Sequence, residues 1–227
     1  MWNERTEALI GADNIEKIEK ANIAVFGVGG VGTFCIESLV RAGVLKITIV
    51  DGDVVCESNL NRQLIATVDS LNKPKVEVMK ERLLKINSNV EVTAIYDFYT
   101  PENRDKFNLS AFDYVVDAID SVPNKIDLIK TCYENNIQII SSMGTANKLD
   151  PLQFCISDIH KTSVCPLAKV IRKKAKELNI KKLKVLYSKE LPVKPIIPDV
   201  KLGSISFVPS TAGLIIAGEV IRDIIKK

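Results

Sequence analysis

Residues 27–32 read Gly27-Val28-Gly29-Gly30-Val31-Gly32, a GxGxxG pattern. It lies between an apolar run, Ala21 to Phe26, and a segment with helical spacing, Val31 to Ala42, that stops at Gly43. A short apolar run closed by glycines fits a buried strand. Strand, glycine turn and helix in this order form a corner suited to a phosphate. Glycines let the backbone turn tightly and approach the anion, and the helix N-terminus offers free N–H groups and a partial positive charge. Asp51 follows about twenty residues later, at the end of a second strand, Ile47 to Val50, where it is placed to accept hydrogen bonds from a ribose hydroxyl. A glycine-rich turn without a ligand is the bland alternative, and the motif by itself does not choose among NAD, FAD and ATP.

The alternation continues along the chain. Pro74 to Ile86 reads as a helix with proline in its first turn. Val90 to Ile95, Tyr114 to Ala118 and Ile137 to Ser141 read as strands, with a helix near Asn124 to Glu134 before the last of them. Such alternation predicts an α/β fold: a Rossmann-like, doubly wound, mainly parallel sheet covered on both faces, with right-handed crossovers. The rhythm changes after Gly144. Gln153 to Ser157 and Lys184 to Tyr187 are expected as antiparallel additions around a helix over Leu167 to Leu178. Residues 188–204, with three prolines, read as an excursion or mobile loop, and Ser210 to Lys226 as a final amphipathic helix. Residues 4–20 are expected to form one leading helix. With 227 residues and 46% hydrophobic content, the chain suits one domain over residues 1–227.

Five cysteines at wide spacings, Cys35, Cys56, Cys132, Cys155 and Cys165, read as reduced thiols, and without a CxxC pair no zinc site is expected. The stretch Met1 to Arg5 lacks an apolar signal core, and the apolar C-terminal stretch is broken by Pro209, Glu219 and Arg222. A cytoplasmic protein with no membrane role is expected. The net charge of +3 neither demands nor excludes nucleic acid.

The nucleotide and its chemistry depend on other residues. The lone histidine, His160, is expected at the surface, which weakens a hydride-transfer reading that needs a proton relay. Asn59-Leu60-Asn61-Arg62-Gln63 follows the second strand, and Lys75 opens the next helix. An arginine and a lysine that converge on a triphosphate would stabilise the charge on departing pyrophosphate, as adenylation requires. Asp120, just beyond the fourth strand, suits a magnesium ion on the phosphates. Against these stand plainer roles: Arg62 and Lys75 as solvated charges, Asp120 as a helix cap, Asp117 as the capping or bridging partner instead, and Asn59 and Asn61 as turn residues.

Taken in order, Gly27 to Gly32, the Asp51-x-Asp53 pair, Ser58 to Gln63, Pro74-Lys75 and Asp117-Ala118-Ile119-Asp120 resemble the ubiquitin-activating-enzyme superfamily, whose bacterial members include the ThiF, MoeB and HesA proteins. The resemblance runs from Arg5 to the final helix. Within it, Asp51 to Cys56, Asp120-Ser121, Leu149-Asp150-Pro151 and Lys161-Thr162 followed by Pro166-Leu167-Ala168 look most like the tRNA threonylcarbamoyladenosine dehydratases. The resemblance implies ATP and Mg²⁺ as cofactors and a cyclisation of the modified adenosine in tRNA through an acyl-adenylate. It assigns the nucleotide site to Gly27, Gly29, Gly30, Gly32, Asp51, Asp53, Asn59, Arg62, Gln63, Lys75 and Asp120, with Asp51 on the ribose and Asp120 on the magnesium. Arg5 matches an arginine that reaches the partner subunit's ATP, which implies a homodimer; the plain alternative is a surface arginine.

Two further readings stay open. Adenylation of a ubiquitin-like sulfur carrier protein would give a role to Cys165, which stands where the family often has Asp before Pro-Leu. A nucleotide-binding adaptor without turnover, working with a cysteine desulfurase or sulfur acceptor, is the other. Finally, Arg172, Lys173, Lys174, Lys176, Lys181, Lys182 and Lys184 form a basic tract that suits tRNA phosphates, or else a solvated helix face with Glu177 paired to Lys173 or Lys181.

Overall fold

The structure is a computed structural model that describes residues 2–226; Met1, at the head of the N-terminal stretch read above, and Lys227 lie outside the described residues. Seven strands form one sheet in the order β3-β2-β1-β4-β5-β7-β6. They are β1 (Asn22–Phe26), β2 (Lys46–Val50), β3 (Glu91–Ile95), β4 (Tyr114–Asp117), β5 (Ile139–Ser142), β6 (Phe154–Asp158) and β7 (Lys184–Ser188). The helices are α1 (Glu4–Ile10), α2 (Ala12–Lys20), α3 (Gly32–Arg41), α4 (Lys75–Ile86), α5 (Val122–Glu134), α6 (Pro166–Glu177) and α7 (Phe207–Ile225).

The central strands are buried on both faces, which is why they read as apolar runs rather than as alternating ones. In β1, Ile23 and Val25 point into one core with Ile36, Leu39, Met79 and Val220, beneath α3, α4 and α7. Their neighbours Ala24 and Phe26 point the other way, into a core with Tyr99, Phe107 and Leu128. A third cluster, around Met143, Ile159, Ile171 and Val185, seats α6. Helix α7 lies tightly on α3: a Cβ at Gly213 would stand 2.3 Å from the Val31 carbonyl oxygen, so only glycine permits this approach. The small residues of the last helix therefore serve packing within the chain at that point.

Four expectations change in detail. The leading helix is two, because Gly11 takes φ +83 and breaks it between α1 and α2. Strand β7 is not an antiparallel addition. It runs parallel to β5 as a sixth strand, and only β6 is antiparallel, paired to β7. The last helix starts at Phe207, since Pro209 falls in its first turn, where its missing N–H has no partner to lose. The expected helix–Pro74 start shifts by one residue, with Pro74 as the cap of α4.

The chain leaves β1 outward to β2 and β3, then returns to the other side of β1 for β4 and β5. That reversal opens a crevice beyond the carboxyl ends of β1 and β4, the place where open parallel sheets hold ligands.

Candidate active site

The crevice holds a cleft of about 480 Å³, inside the range of small-ligand sites. Much of its lining comes from the segments that follow strands. Gly27, Gly29 and Gly30 follow β1, Asp51 and Asp53 follow β2, Asp97 to Tyr99 follow β3, and Ala118 to Ser121 follow β4.

The glycines have distinct tasks. Gly27 takes φ +97, and a Cβ there would meet the Ala118 carbonyl oxygen at 2.5 Å. At Gly32, the first residue of α3, a Cβ would stand 1.8 Å from the Gly27 carbonyl oxygen. These two close the loop on itself. Gly29 differs: its added Cβ would meet only Gln63 Nε2, at 3.9 Å, so its bare face looks into the cleft. The loop is braced by Asp51, which accepts the Val28 N–H at 2.7 Å and the Asp53 N–H at 2.8 Å. Burial pushes the Asp51 carboxyl above its ordinary range, and the Lys75 charge and the two N–H bonds offset only part of that.

Lys75, the first residue of α4, is 6% exposed, and its Nζ donates to Asp53 Oδ2 at 2.8 Å. Its backbone N–H donates to the Asp53 carbonyl at 3.0 Å, which fixes the helix start against the β2 loop. Arg62 lines the same cleft, with Nη1 donating to the Ser58 carbonyl and to Asn61 Oδ1, both at 2.8 Å. Gln63 lines it too, and its buried Oε1 has no hydrogen-bond partner. A buried acceptor left open in this way calls for a donor from water or ligand. Asp120 is exposed at the cleft wall. Asp117 is instead fully buried in an ion pair with Lys125 at 2.7 Å, the bridging role that stood as its alternative.

Several expected residues stand elsewhere. Asn59 is buried and does not line the cleft; its Oδ1 accepts the Cys56 N–H at 3.1 Å and caps a short turn, while Asn61 takes the wall position. Arg5 is exposed on α1 and is not part of this cleft's lining. Cys165 is 2% exposed, packs in the third core cluster at the start of α6, and does not line the cleft. The basic tract divides. Lys173, Lys174, Lys176, Lys181 and Lys182 are exposed, with Lys173 and Lys174 paired to Glu177. Arg172 braces Thr162 through hydrogen bonds to its carbonyl and hydroxyl oxygens, and Lys184 is tied to Glu219 and Asp223. Those two are structural. His160 is half-buried, with Nε2 2.9 Å from the Ile180 carbonyl oxygen.

The cleft also contains residues that sequence reasoning missed. The Phe98 ring packs on Gly52, where a Cβ would meet it at 2.6 Å, and Leu202 to Ser204 return from the excursion to form another wall. The rule that ligands lie beyond strand ends would have found residues 97–99; nothing local marks 202–204.

The ThiF family model matches residues 3–227. The chain belongs to the ThiF family. It is 43% identical to the tRNA threonylcarbamoyladenosine dehydratase of Bacillus subtilis, over 98% of this chain and 94% of that protein. The crystal structure of the Escherichia coli tRNA N6-threonylcarbamoyladenosine dehydratase, TcdA, in complex with ATP superposes with a TM-score of 0.92 at 33% identity, covering 99% of this chain and 95% of that one. Its complex with AMP gives a TM-score of 0.93. The sulfur carrier protein ThiS adenylyltransferase of E. coli is 30% identical over 62% of this chain and 56% of that protein.

Proposed function

We propose that this chain is an ATP-dependent tRNA threonylcarbamoyladenosine dehydratase acting through an acyl-adenylate. One observation carries the reading: a glycine corner, Arg62, Lys75 and Asp120 share one cleft at the switch point of the sheet, in a chain 43% identical to such a dehydratase over nearly its whole length.

In this reading the free N–H groups of the glycine loop and the N-terminus of α3 hold the phosphates. Asp51 keeps acceptor capacity for the ribose beyond its two backbone bonds. The carboxylate of the threonylcarbamoyl group attacks the α-phosphate of ATP, and pyrophosphate leaves. Arg62 and Lys75 stabilise the charge that grows on the departing oxygens, and the low exposure of Lys75 strengthens its effect. Lys75 then exchanges part of its bond with Asp53 for the phosphates. The modified base's own carbamoyl group closes on the activated carbonyl and AMP departs, so one water is lost overall. Among the described residues no group of three or more His, Cys, Asp or Glu could hold a metal by itself. A lone Asp120 beside the cleft fits magnesium carried on nucleotide phosphates, which needs one or two carboxylates rather than a protein cage, and would supply charge neutralisation there.

Residues 1–227 serve as one adenylating domain in this reading. Arg5, exposed on α1, would act in trans across a homodimer, and the exposed Lys173, Lys174, Lys176, Lys181 and Lys182 would meet tRNA phosphates. The buried position of Cys165 speaks against a thioester to a sulfur carrier. Reduced thiols and a tRNA substrate fit the cytoplasm. Among the described residues no helix is long and apolar enough to cross a membrane.

The test is mass spectrometry of tRNA nucleosides after incubation with the protein, ATP and Mg²⁺. Loss of one water from the threonylcarbamoyl nucleoside is expected. Pyrophosphate release triggered by a Gly-Gly-ended carrier protein and not by tRNA would replace this reading with sulfur-carrier adenylation, and release with neither would make the chain an adaptor.

A further inference from the structure

One wall of the cleft comes from chain with neither helix nor strand. Residues 189–204 leave β7, and Leu202, Gly203 and Ser204 return to line the cleft. Apolar packing does not hold this segment: Leu191, Ile196 and Leu202 are 71%, 96% and 72% exposed. Hydrogen bonds to Asn147 do. The Asn147 carbonyl accepts the Val193 N–H at 2.7 Å, and its backbone N–H donates to the Gly203 carbonyl at 2.8 Å. Its Oδ1 accepts the Gly203 N–H at 2.6 Å, and its Nδ2 donates to the Lys201 carbonyl at 3.1 Å. Both ends of a strap over residues 193–203 thus meet on a single side chain and its backbone, the closed-ended arrangement of an Ω-loop.

The residue type suits the task. Asn147 takes φ +59, a left-handed conformation that asparagine tolerates better than most residues. Its amide offers a donor and an acceptor together. The strap's exit from β7 is anchored separately, by Glu190, whose carboxylate accepts the Leu149 N–H at 2.8 Å and the Asp150 N–H at 3.1 Å. Release of Asn147 therefore frees the strap without detaching its base. A second link runs to the phosphate side of the cleft. Asn61 Nδ2 donates to the Ser204 carbonyl at 3.0 Å, while Asn61 Oδ1 accepts from Arg62 Nη1 at 2.8 Å. One amide joins the strap to the guanidinium.

We propose that Asn147 is a positioning residue that latches the 193–203 strap as a wall of the nucleotide cleft, and that Asn61 couples the closed latch to the orientation of Arg62. The inference rests on the cleft's being an ATP site. ATP enters and AMP leaves with the latch open; the closed latch keeps water from the acyl-adenylate and holds Arg62 toward the phosphates, as closing loops do in other enzymes.

The test combines trypsin cleavage after Lys201 with ATP titration and thermal unfolding. In the wild-type protein, ATP should slow the cleavage. Asn147→Gly keeps the left-handed backbone and both main-chain bonds but removes both side-chain bonds. It should speed cleavage and weaken ATP binding, each about tenfold, with little change in the unfolding midpoint. Asn147→Asp, which keeps the acceptor, should recover part of both. Wild-type cleavage and affinity in Asn147→Gly overturn the latch. If Asn147→Gly fails to fold, Asn61→Ala carries the test: faster cleavage with slower pyrophosphate release supports the coupling, and wild-type behaviour in both overturns it. A wild-type protein that binds no ATP sinks the cleft reading and the latch together, whereas binding indifferent to every variant sinks the latch alone.

Discussion

Lys75 is 6% exposed, yet its Nζ lies 2.8 Å from Asp53 Oδ2, a carboxylate whose side chain is 55% exposed at the mouth of the cleft. The cation is thus delivered from inside the protein to an open anion, which holds it in place without sequestering it. A phosphate that enters the cleft can take over as its partner.

Lys75→Ala and Arg62→Ala should therefore each lower ATP–pyrophosphate exchange by about 10²–10³-fold, the range for loss of a group aimed at developing charge. Circular dichroism and the unfolding midpoint should change little for Arg62→Ala, whose partners are a surface carbonyl and Asn61. Exchange within threefold of wild type in both variants would remove the proposed chemistry.

The glycine loop separates closure from ligand approach. Gly32→Ala places a methyl group 1.8 Å from the Gly27 carbonyl oxygen, backbone that cannot step aside, and should destabilise the fold by about 2 kcal/mol or more in urea unfolding. Gly29→Ala meets nothing closer than 3.9 Å and should unfold like wild type while binding ATP at least tenfold more weakly in calorimetry, because its methyl group points into the cleft. Equal stability losses in the two variants would contradict this division.

Much of this division is legible in the amino-acid order, because it depends on local chemistry. A strand, a glycine corner and an acid about twenty residues on can be placed from spacing alone. What escapes is set by contacts remote in sequence. Whether β7 runs parallel depends on its partner β5, more than forty residues earlier, and a period of two looks the same in either direction. Asn59 and Asn61 are indistinguishable as turn residues until the turn exists, when one caps it from inside and the other faces the cleft. Lys184 counts as one more cation in a basic tract, and only the fold shows it bound to Glu219 and Asp223 across α7.

Glu37 ties α3 to α4, with Arg41 at 2.8 Å and Arg82 at 2.5 Å. Burial pushes its carboxyl up, but the hydrogen bonds and charges of Arg82 and Arg41 outweigh this and hold it below its ordinary value of 4.5. A carboxylate lowered in the folded state stabilises above its unfolded pKa, and that contribution is lost as pH falls through the folded value. Glu37→Gln should thus be less stable than wild type at pH 7 by about 1 kcal/mol. The gap should narrow as pH falls below 4.5, in denaturant titrations followed by fluorescence or circular dichroism. A gap that stays constant down to pH 3 (roughly the foot of the carboxylate range) would assign the effect to packing instead.

The thiols provide a separate check on the acyl-transfer alternative. Cys56 is the exposed cysteine, whereas Cys35, Cys132 and Cys165 are buried. Burial, with the Asp117 charge nearby, pushes the Cys132 thiol up to about 12. A thiol reagent should label Cys56 first in the native protein, and Cys165→Ala should retain ATP–pyrophosphate exchange within about twofold. Rapid labelling of Cys165, or loss of exchange in Cys165→Ala with folding intact, would return that residue to the chemistry.

Beneath the cleft floor, Lys125 and Asp117 are both fully buried and lie 2.7 Å apart. Lys125 Nζ also donates to Ser141 Oγ at 3.3 Å and to the Ser142 carbonyl at 3.1 Å, while Asp117 Oδ1 accepts the Ile119 N–H at 3.1 Å. The pair thus ties α5 to β5 and fixes the turn that carries Asp120 into the cleft. Lys125→Met leaves a carboxylate without its counter-charge in a dry site, which should cost about 3–5 kcal/mol. Adding Asp117→Asn to it removes the uncompensated charge and should recover part of that loss, because breaking a buried pair costs more than replacing both members. The recovered protein should still bind ATP but respond less steeply to Mg²⁺, since the Ile119 N–H then faces an amide and Asp120 loses its firm base. Denaturant unfolding of the two variants, followed by Mg²⁺ titration of pyrophosphate exchange in the double one, separates these effects. If Lys125→Met alone proves as stable as wild type, the ion pair has no structural role beneath this site.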